Sequence, residues 1–164
     1  MLIIQSIVNI SEVNFYIMSS IIKLRGKGVS RIINSKVMLS PLAGVTDKIF
    51  RKLVRKWAPE SLLFTEMINA TSLKHGYGTQ KIKQLELEKG PIGVQIFDNR
   101  PFAVSEAAKL AEDSGAFLID INMGCPVKKI SRKGGGSALI NDRLLAIELV
   151  KRVSNAVKVP VTVK

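Results

Sequence analysis

The chain has 164 residues, with 25 Lys and Arg against 13 Asp and Glu, so it carries a formal net charge of +12. Hydrophobic residues make up 46% and charged residues 23%, a globular balance that excludes wholesale disorder and suits one domain with a real core. The charge favours polyanionic partners, nucleic acid or an anionic membrane surface. A single Cys excludes an intramolecular disulfide or multi-Cys zinc site, and a single His argues against a His-rich centre, so no metal is expected; a lone thiol fits a reducing compartment, the cytoplasm.

Residues 1–18 contain no Lys or Arg and one acidic residue, Glu12. Their apolar residues are interrupted by Gln5, Ser6, Asn9, Ser11 and Asn14. No stretch reaches the roughly 20 apolar residues of a membrane span, and no basic residue precedes Lys23 as a signal peptide would require. These residues read as an extension outside the main domain, residues 19–164, with Met18 as an alternative start. Ile22-Lys23-Leu24 and Val29 flank Gly26-Lys27-Gly28, the pattern of a small hairpin.

A rhythm of short apolar runs follows: 37–39, 62–64, 92–94, 117–119 and 161–163. Each is short, bounded and apolar, as strands buried on both faces are. Helical patterns separate them. Thr46 or Asp47 can cap a helix carrying Ile49, Phe50, Leu53, Val54 and Trp57 on one face. A shorter helix fits Asn69 to Lys74, followed by a Lys- and Gln-containing loop. Pro101 opens a helix that Gly115 ends. Asn141 or Asp142 caps the last one, with Leu144, Leu145, Leu149 and Val153 inward. Strands alternating with helices predict βαβ units and a parallel sheet, an α/β fold.

The polar residues fall at the ends of these strands. Ser40 and Pro41 follow the first, Glu66 the second, Asn122 and Cys125 the fourth and Lys164 the fifth, while Gln95 lies near the end of the third. In parallel α/β folds the site sits at the carboxyl ends of the strands. Strand ends are also wet and therefore polar for no other reason, but five in a row favour a site.

Asp120-Ile121-Asn122-Met123-Gly124-Cys125-Pro126 is the sharpest stretch. A Cys between Gly and Pro at a strand end is held on a rigid turn. It can be a nucleophile, a proton donor or a structural thiol. A nucleophilic Cys usually needs a His base, and the only His, His75, is predicted elsewhere. An unperturbed thiol, with a pKa near about 8.5, is mostly protonated at neutral pH and can act as a general acid. Lys128, Lys129, Arg132 and Lys133 follow closely; they can meet phosphates or simply decorate a solvated loop. Gly134-Gly135-Gly136 lacks P-loop spacing and a preceding strand, so a mobile loop over a substrate is the better reading.

Pro41-Leu42-Ala43-Gly44-Val45-Thr46-Asp47, Gly93-Val94-Gln95, the 120–126 stretch, Val127-Lys128-Lys129, Gly135-Gly136-Ser137-Ala138-Leu139 and Pro160 to Lys164 together resemble tRNA-dihydrouridine synthases over residues 20–164. The resemblance implies a TIM-type α/β barrel, with a helical tRNA-binding domain after it. It implies NADPH-driven reduction of FMN, hydride transfer to carbon 6 of a tRNA uridine and protonation of carbon 5 by a cysteine, here Cys125. By motif, Pro41, Leu42 and Ala43 pack against the flavin ring, Gln95 and Lys164 hydrogen-bond it, and Asn122 contacts the ring or the uracil. Lys128, Lys129 and Arg132 would then lie beside the bound tRNA. An amide can bond ring nitrogens and carbonyls from both of its ends, and a cation stabilises negative charge on the ring. An edge amide and a solvated terminal Lys are the plain readings of Gln95 and Lys164.

A complete barrel of this type takes roughly 250 residues, and only about the first five of its eight strands are legible here. The strands that would cradle the FMN phosphate and the helical domain are not among them. The sequence therefore predicts the amino-terminal part of such an enzyme, inactive by itself. A flavin barrel acting on a free pyrimidine or small enoate, and a non-catalytic fragment, are the alternatives.

Overall fold

A computed structural model describes residues 22–83 and 85–164; residues 1–18, read as an extension, lie outside the described residues. Strands β1 (Ile22–Arg25) and β2 (Ser30–Ile33) pair antiparallel, with Ile22 opposite Ile33 and Arg25 opposite Ser30. The Gly26 amide donates to the Val29 carbonyl at 2.7 Å across the turn. This is the expected hairpin.

The remaining strands are β3 (Met38–Leu39), β4 (Leu62–Phe64), β5 (Ile68–Asn69), β6 (Ile92–Phe97), β7 (Leu118–Ile121) and β8 (Val161–Val163). They form one sheet in the order β3-β4-β6-β7-β8, every pairing parallel, and β5 adds to β6 with Ile68 opposite Ile96. The five apolar runs are thus the five principal strands. The two-residue β5 is too short to leave a pattern of its own. Strands β3 and β7 each begin one residue later than their apolar runs, at Met38 and Leu118.

Among the described residues five α-helices connect them: α1 (Lys48–Trp57), α2 (Ala70–Lys74), α3 (Pro101–Asp113), α4 (Lys128–Ser131) and α5 (Arg143–Ala156). The caps follow the sequence. Asp47 accepts from the Phe50 amide, Asn69 from Ser72 and Asp142 from Leu145, and Pro101 occupies the first turn of α3. Such side chains satisfy amides that have no partner inside the helix. Among the described residues no helix is long and apolar enough to cross a membrane.

Two inward faces differ from expectation. On α1 the expected inward stripe splits: Ile49, Leu53 and Trp57 are 78%, 51% and 85% exposed and Phe50 and Val54 are half-buried, while Arg51 is 4% exposed. The helix is seated by its arginines. Arg51 pairs with the buried Glu88 through two nitrogens and donates to the Thr46 carbonyl at 2.8 Å. One turn on, Arg55 donates to the carbonyls of Ser61 and Pro91 at 2.6 and 3.0 Å. A guanidinium can be buried when its donors are met by a carboxylate and carbonyls. The arginine face lies opposite Ile49, Leu53 and Trp57 and so turns these three outward. On α5, Leu149 and Val153 are buried as expected, but Leu144 in the first turn is exposed.

Because side chains alternate along a strand, the sheet has two unlike faces. Ile92, Val94, Ile96, Ile119, Ile121 and Val163 form one core with Leu73 of α2, Val104 and Ala108 of α3 and Leu149 and Val153 of α5. On the other face, Leu62, Phe64 and Leu118 pack against Leu24 and Ile33 of the hairpin. Gly93 lies on this face beside Phe64: a Cβ there would stand 2.6 Å from the Phe64 ring. The hairpin thus closes the amino-terminal end of the second face and leaves the carboxyl end to polar side chains.

Candidate functional site

Above the apolar layer, Gln95, Asp120 and Thr162 stand opposite one another on β6, β7 and β8. All three are buried. The Gln95 amide nitrogen donates to one oxygen of Asp120 at 2.6 Å, and the Thr162 hydroxyl donates to the other at 2.6 Å. The Gln95 oxygen accepts from the Asn122 amide nitrogen at 3.0 Å, which also approaches the Met67 sulfur at 3.6 Å. The Asn122 oxygen accepts the backbone amides of Gly124 and Cys125 at 3.1 and 3.0 Å. One continuous set of hydrogen bonds runs from the sheet interior to the turn that carries the cysteine. Burial pushes the Asp120 carboxyl above the ordinary carboxylate range, against the Thr162 and Gln95 hydrogen bonds and the positive charge of Lys164.

Cys125 is half-buried. Its carbonyl accepts from the Ser137 amide at 3.0 Å. The Gly134–Gly136 stretch, expected as a mobile loop over a substrate, is instead a packed support of this turn. Gly135 and Gly136 are buried, the Gly135 amide donates to the Ile130 carbonyl at 3.3 Å, and Asn99 donates to the Lys133 carbonyl at 2.7 Å. Lys128 and Lys129 stand on α4 and Arg132 caps it, all exposed, where a loop was one of the readings.

Pro41 is buried, while Leu42 and Ala43 are exposed. Their turn is knotted by Thr46, whose hydroxyl accepts from the Leu42 amide and donates to the Leu42 carbonyl, both at 3.1 Å. Glu66 accepts from the Gly44 amide at 2.7 Å and from Lys81 at 2.9 Å. The Lys81 and Gly44 hydrogen bonds hold its carboxyl below the ordinary range. Glu66 thereby ties the loop after β3 to the loop after β4.

Gln95 is not at a strand end. It is the fourth residue of the six-residue β6 and 1% exposed. The residue just past β6 is Asp98, also buried, which accepts from Thr71, Asn69 and Arg100 and anchors α2. Both ends of the Gln95 amide are engaged by the protein itself, leaving one N–H and one lone pair for anything else. Lys164 follows β8 with its backbone amide on the Ile121 carbonyl at 3.0 Å and its side chain exposed. The structure therefore gathers Cys125, Asn122 and Lys164 at the carboxyl ends of β7 and β8, with Gln95 inside the sheet and bonded to Asn122. The Pro41–Ala43 turn follows β3 at the same end of the sheet, and α4 extends from the cysteine turn.

The sequence pattern singled out neither Asp120 nor Thr162, which hydrogen bonds join to Gln95. The signal was present: each is a polar residue between two apolar ones in a strand buried on both faces, Ile119-Asp120-Ile121 and Val161-Thr162-Val163. A buried carboxylate needs partners, so Asp120 announces a polar interior. Met67 left no such mark.

A family model described as "Dihydrouridine synthase (Dus)" matches residues 38–164. A protein named "Probable tRNA-dihydrouridine synthase 1" from Synechocystis sp. is 48% identical over 135 residues, 82% of this chain and 38% of that protein. The "tRNA-dihydrouridine synthase B" proteins of Xanthomonas axonopodis pv. citri and Vibrio parahaemolyticus are 44% and 38% identical, over 79% and 80% of this chain and 39% and 41% of theirs. The chain thus spans about two fifths of the length of the curated relatives it matches. The match takes in all five principal strands and the turn that carries Cys125, and with it the chain belongs to the dihydrouridine synthase family.

Proposed function

We propose that this chain is the part of a cytoplasmic tRNA-dihydrouridine synthase that carries the proton donor and the contacts to the flavin ring. The reaction is the reduction of the carbon 5–carbon 6 double bond of a tRNA uridine, with FMN as the flavin and NADPH as the reductant. Residues 19–164 then form the amino-terminal part of an eight-stranded barrel, with the helical tRNA-binding domain outside it. Support for the barrel comes from strand order: the principal strands follow one another across the sheet in chain order, and α2, α3 and α5 pack on one face. That is a singly wound sheet, as in a barrel, and not a doubly wound one.

The observation that carries the reading is the placement of Cys125. The only cysteine of the chain stands on a turn fixed by Asn122, beside the polar end of the second sheet face. The residues present fit a flavin ring. Leu42 and Ala43 are an exposed apolar turn, Lys164 is an exposed cation and Gln95 retains an unused N–H and lone pair. A flavin, when bound, would supply the hydride needed at carbon 6 of the uracil. Cys125 gives its Sγ proton to carbon 5, and its thiolate regains a proton from solvent. Asn122 fixes the turn that aims the thiol, and Lys164 opposes negative charge on the ring. Lys128, Lys129 and Arg132 meet tRNA phosphates; all are exposed, and none forms an ion pair among the described residues. Extracting the base from its stack costs a few kcal/mol, which contacts with the tRNA backbone must offset.

The test is a chimera in which residues 38–164 replace the matched part of the Synechocystis relative, the rest of that protein being kept. It should form dihydrouridine in unmodified tRNA with NADPH and FMN. Cys125→Ala in the same chimera should lower the rate about a hundredfold to ten-thousandfold while flavin stays bound. A folded, flavin-loaded chimera with no activity on tRNA, or full activity of the alanine variant, would defeat the reading.

A further inference from the structure

We infer that Asp120 is a positioning residue which, acting through Gln95 and Asn122, sets the direction of the amide chain that holds the Cys125 turn. The inference rests on the proposed function only for what Cys125 does; the chain of hydrogen bonds stands without it.

The argument is one of donor and acceptor direction. Gly124 and Cys125 present backbone N–H groups, which can only donate, so the Asn122 side chain must offer its oxygen to them. Its nitrogen then faces Gln95, and Gln95 must answer with its oxygen. The Gln95 nitrogen is left pointing into the sheet and needs an acceptor there. Asp120 supplies it at 2.6 Å. An apolar residue at 120 would leave a buried N–H unmet, and a flipped Gln95 would set two nitrogens, or an oxygen against an oxygen, along the chain. Asp120 is itself held from the other side by Thr162 at 2.6 Å. The direction does not depend on whether the carboxyl carries a proton, because one oxygen accepts from Gln95 in either state and the other can exchange donor and acceptor roles with the Thr162 hydroxyl. An asparagine can do the same, its oxygen toward Gln95 and its nitrogen toward Thr162. Neither Asp120 nor Gln95 reaches the Cys125 sulfur by any of these bonds, so the effect passes through Asn122.

Amide hydrogen exchange of the 164-residue chain, with no flavin or tRNA added, reads this directly. The Gly124 and Cys125 amides report the turn, and the Phe117 and Ile119 amides, bonded to the Ile92 and Pro160 carbonyls, report the sheet. Asp120→Leu should speed exchange at Gly124 and Cys125 by about tenfold or more relative to the sheet amides. Asp120→Asn should restore the native protection, which a mere need for negative charge would not allow. Gln95→Met cuts the chain at its middle and should reproduce the Asp120→Leu effect; it decides the matter if Asp120→Leu does not fold. Native protection of the turn in Gln95→Met, or failure of Asp120→Asn to restore it, overturns the inference. Neither outcome depends on synthase activity, so the relay and the proposed reaction fail separately.

Discussion

A Cβ on Gly136 would stand 2.6 Å from the carbonyl oxygen of Cys125 and 3.1 Å from its Cβ. Gly136 also has a positive φ of 58°. The contact is with backbone, which cannot move aside as a flexible side chain can, so the turn and the glycine loop are built on each other. Gly136→Ala should destabilise the protein by about 1–3 kcal/mol and change the rate at which iodoacetamide alkylates the single thiol. Gly44→Ala is the control: its φ is 76° but nothing lies within 4 Å of the added atom, so it carries only the backbone strain of about 1 kcal/mol. Urea unfolding of the two variants measures the difference. Equal losses would mean that the Cys125 contact relaxes freely.

The orientation of α1 makes a contrasting pair of expectations. Arg51→Leu leaves Glu88 buried without its partner and should cost about 3–5 kcal/mol. Adding Glu88→Leu should recover part of that loss, because the unpaired charge is then gone. Trp57→Ser, at the outward end of the helix, should change stability by no more than about 0.5 kcal/mol in the 164-residue chain. A large loss from Trp57→Ser with a small one from Arg51→Leu would reverse the orientation described above.

Two buried carboxyls give opposite pH dependences. Burial tends to raise Asp98, but the hydrogen bonds from Arg100, Thr71 and the Asn99 amide outweigh it and hold its carboxyl below the ordinary value. Its contribution to stability is present above the unfolded value of about 3.9 and is lost as the pH falls through the lower native value. Asp98→Asn should therefore be less stable at pH 7 and lose less on acidification. Asp120 is raised by burial, so its contribution is full below about pH 3.9 and declines as the pH rises through the native value. Asp120→Asn should lack that decline. Urea midpoints of the three proteins across the acid range check both signs, and parallel curves for all three would refute them.

By itself the 164-residue chain should make no dihydrouridine and should retain FMN weakly or not at all. Among the described residues strands β3 and β8 each pair on one side only, and open strand edges favour aggregation. Residues that would cradle the phosphate of FMN were expected from the resemblance to lie in strands beyond these five. Gel filtration followed by the flavin spectrum, with dihydrouridine assayed in unmodified tRNA, tests this. A monomeric, yellow, active preparation would show it wrong.

Much of this protein is legible from local pattern. Apolar runs such as Leu62-Leu63-Phe64 mark strands covered on both faces, and Asp47, Asn69, Asp142 and Pro101 mark helix starts, because capping and strand burial are decided within a few residues. The Gly124-Cys125-Pro126 motif marks a turn equally locally, but the supports of that turn, Gly136 and the chain of Asn122, Gln95 and Asp120, come from other segments. The inward face of α1 was not legible. An apolar stripe ordinarily faces the core, and only the distant Glu88 and the carbonyls of Ser61 and Pro91 make burial of Arg51 and Arg55 favourable. Gln95 likewise reads as a strand-end group until its register with Asp120 and Thr162 places it inside the sheet. Partners 25 and 27 residues apart, Asp120 and Asn122, decide which way its amide points, and hydrogen-bond direction between such distant residues exists only once the strands have paired.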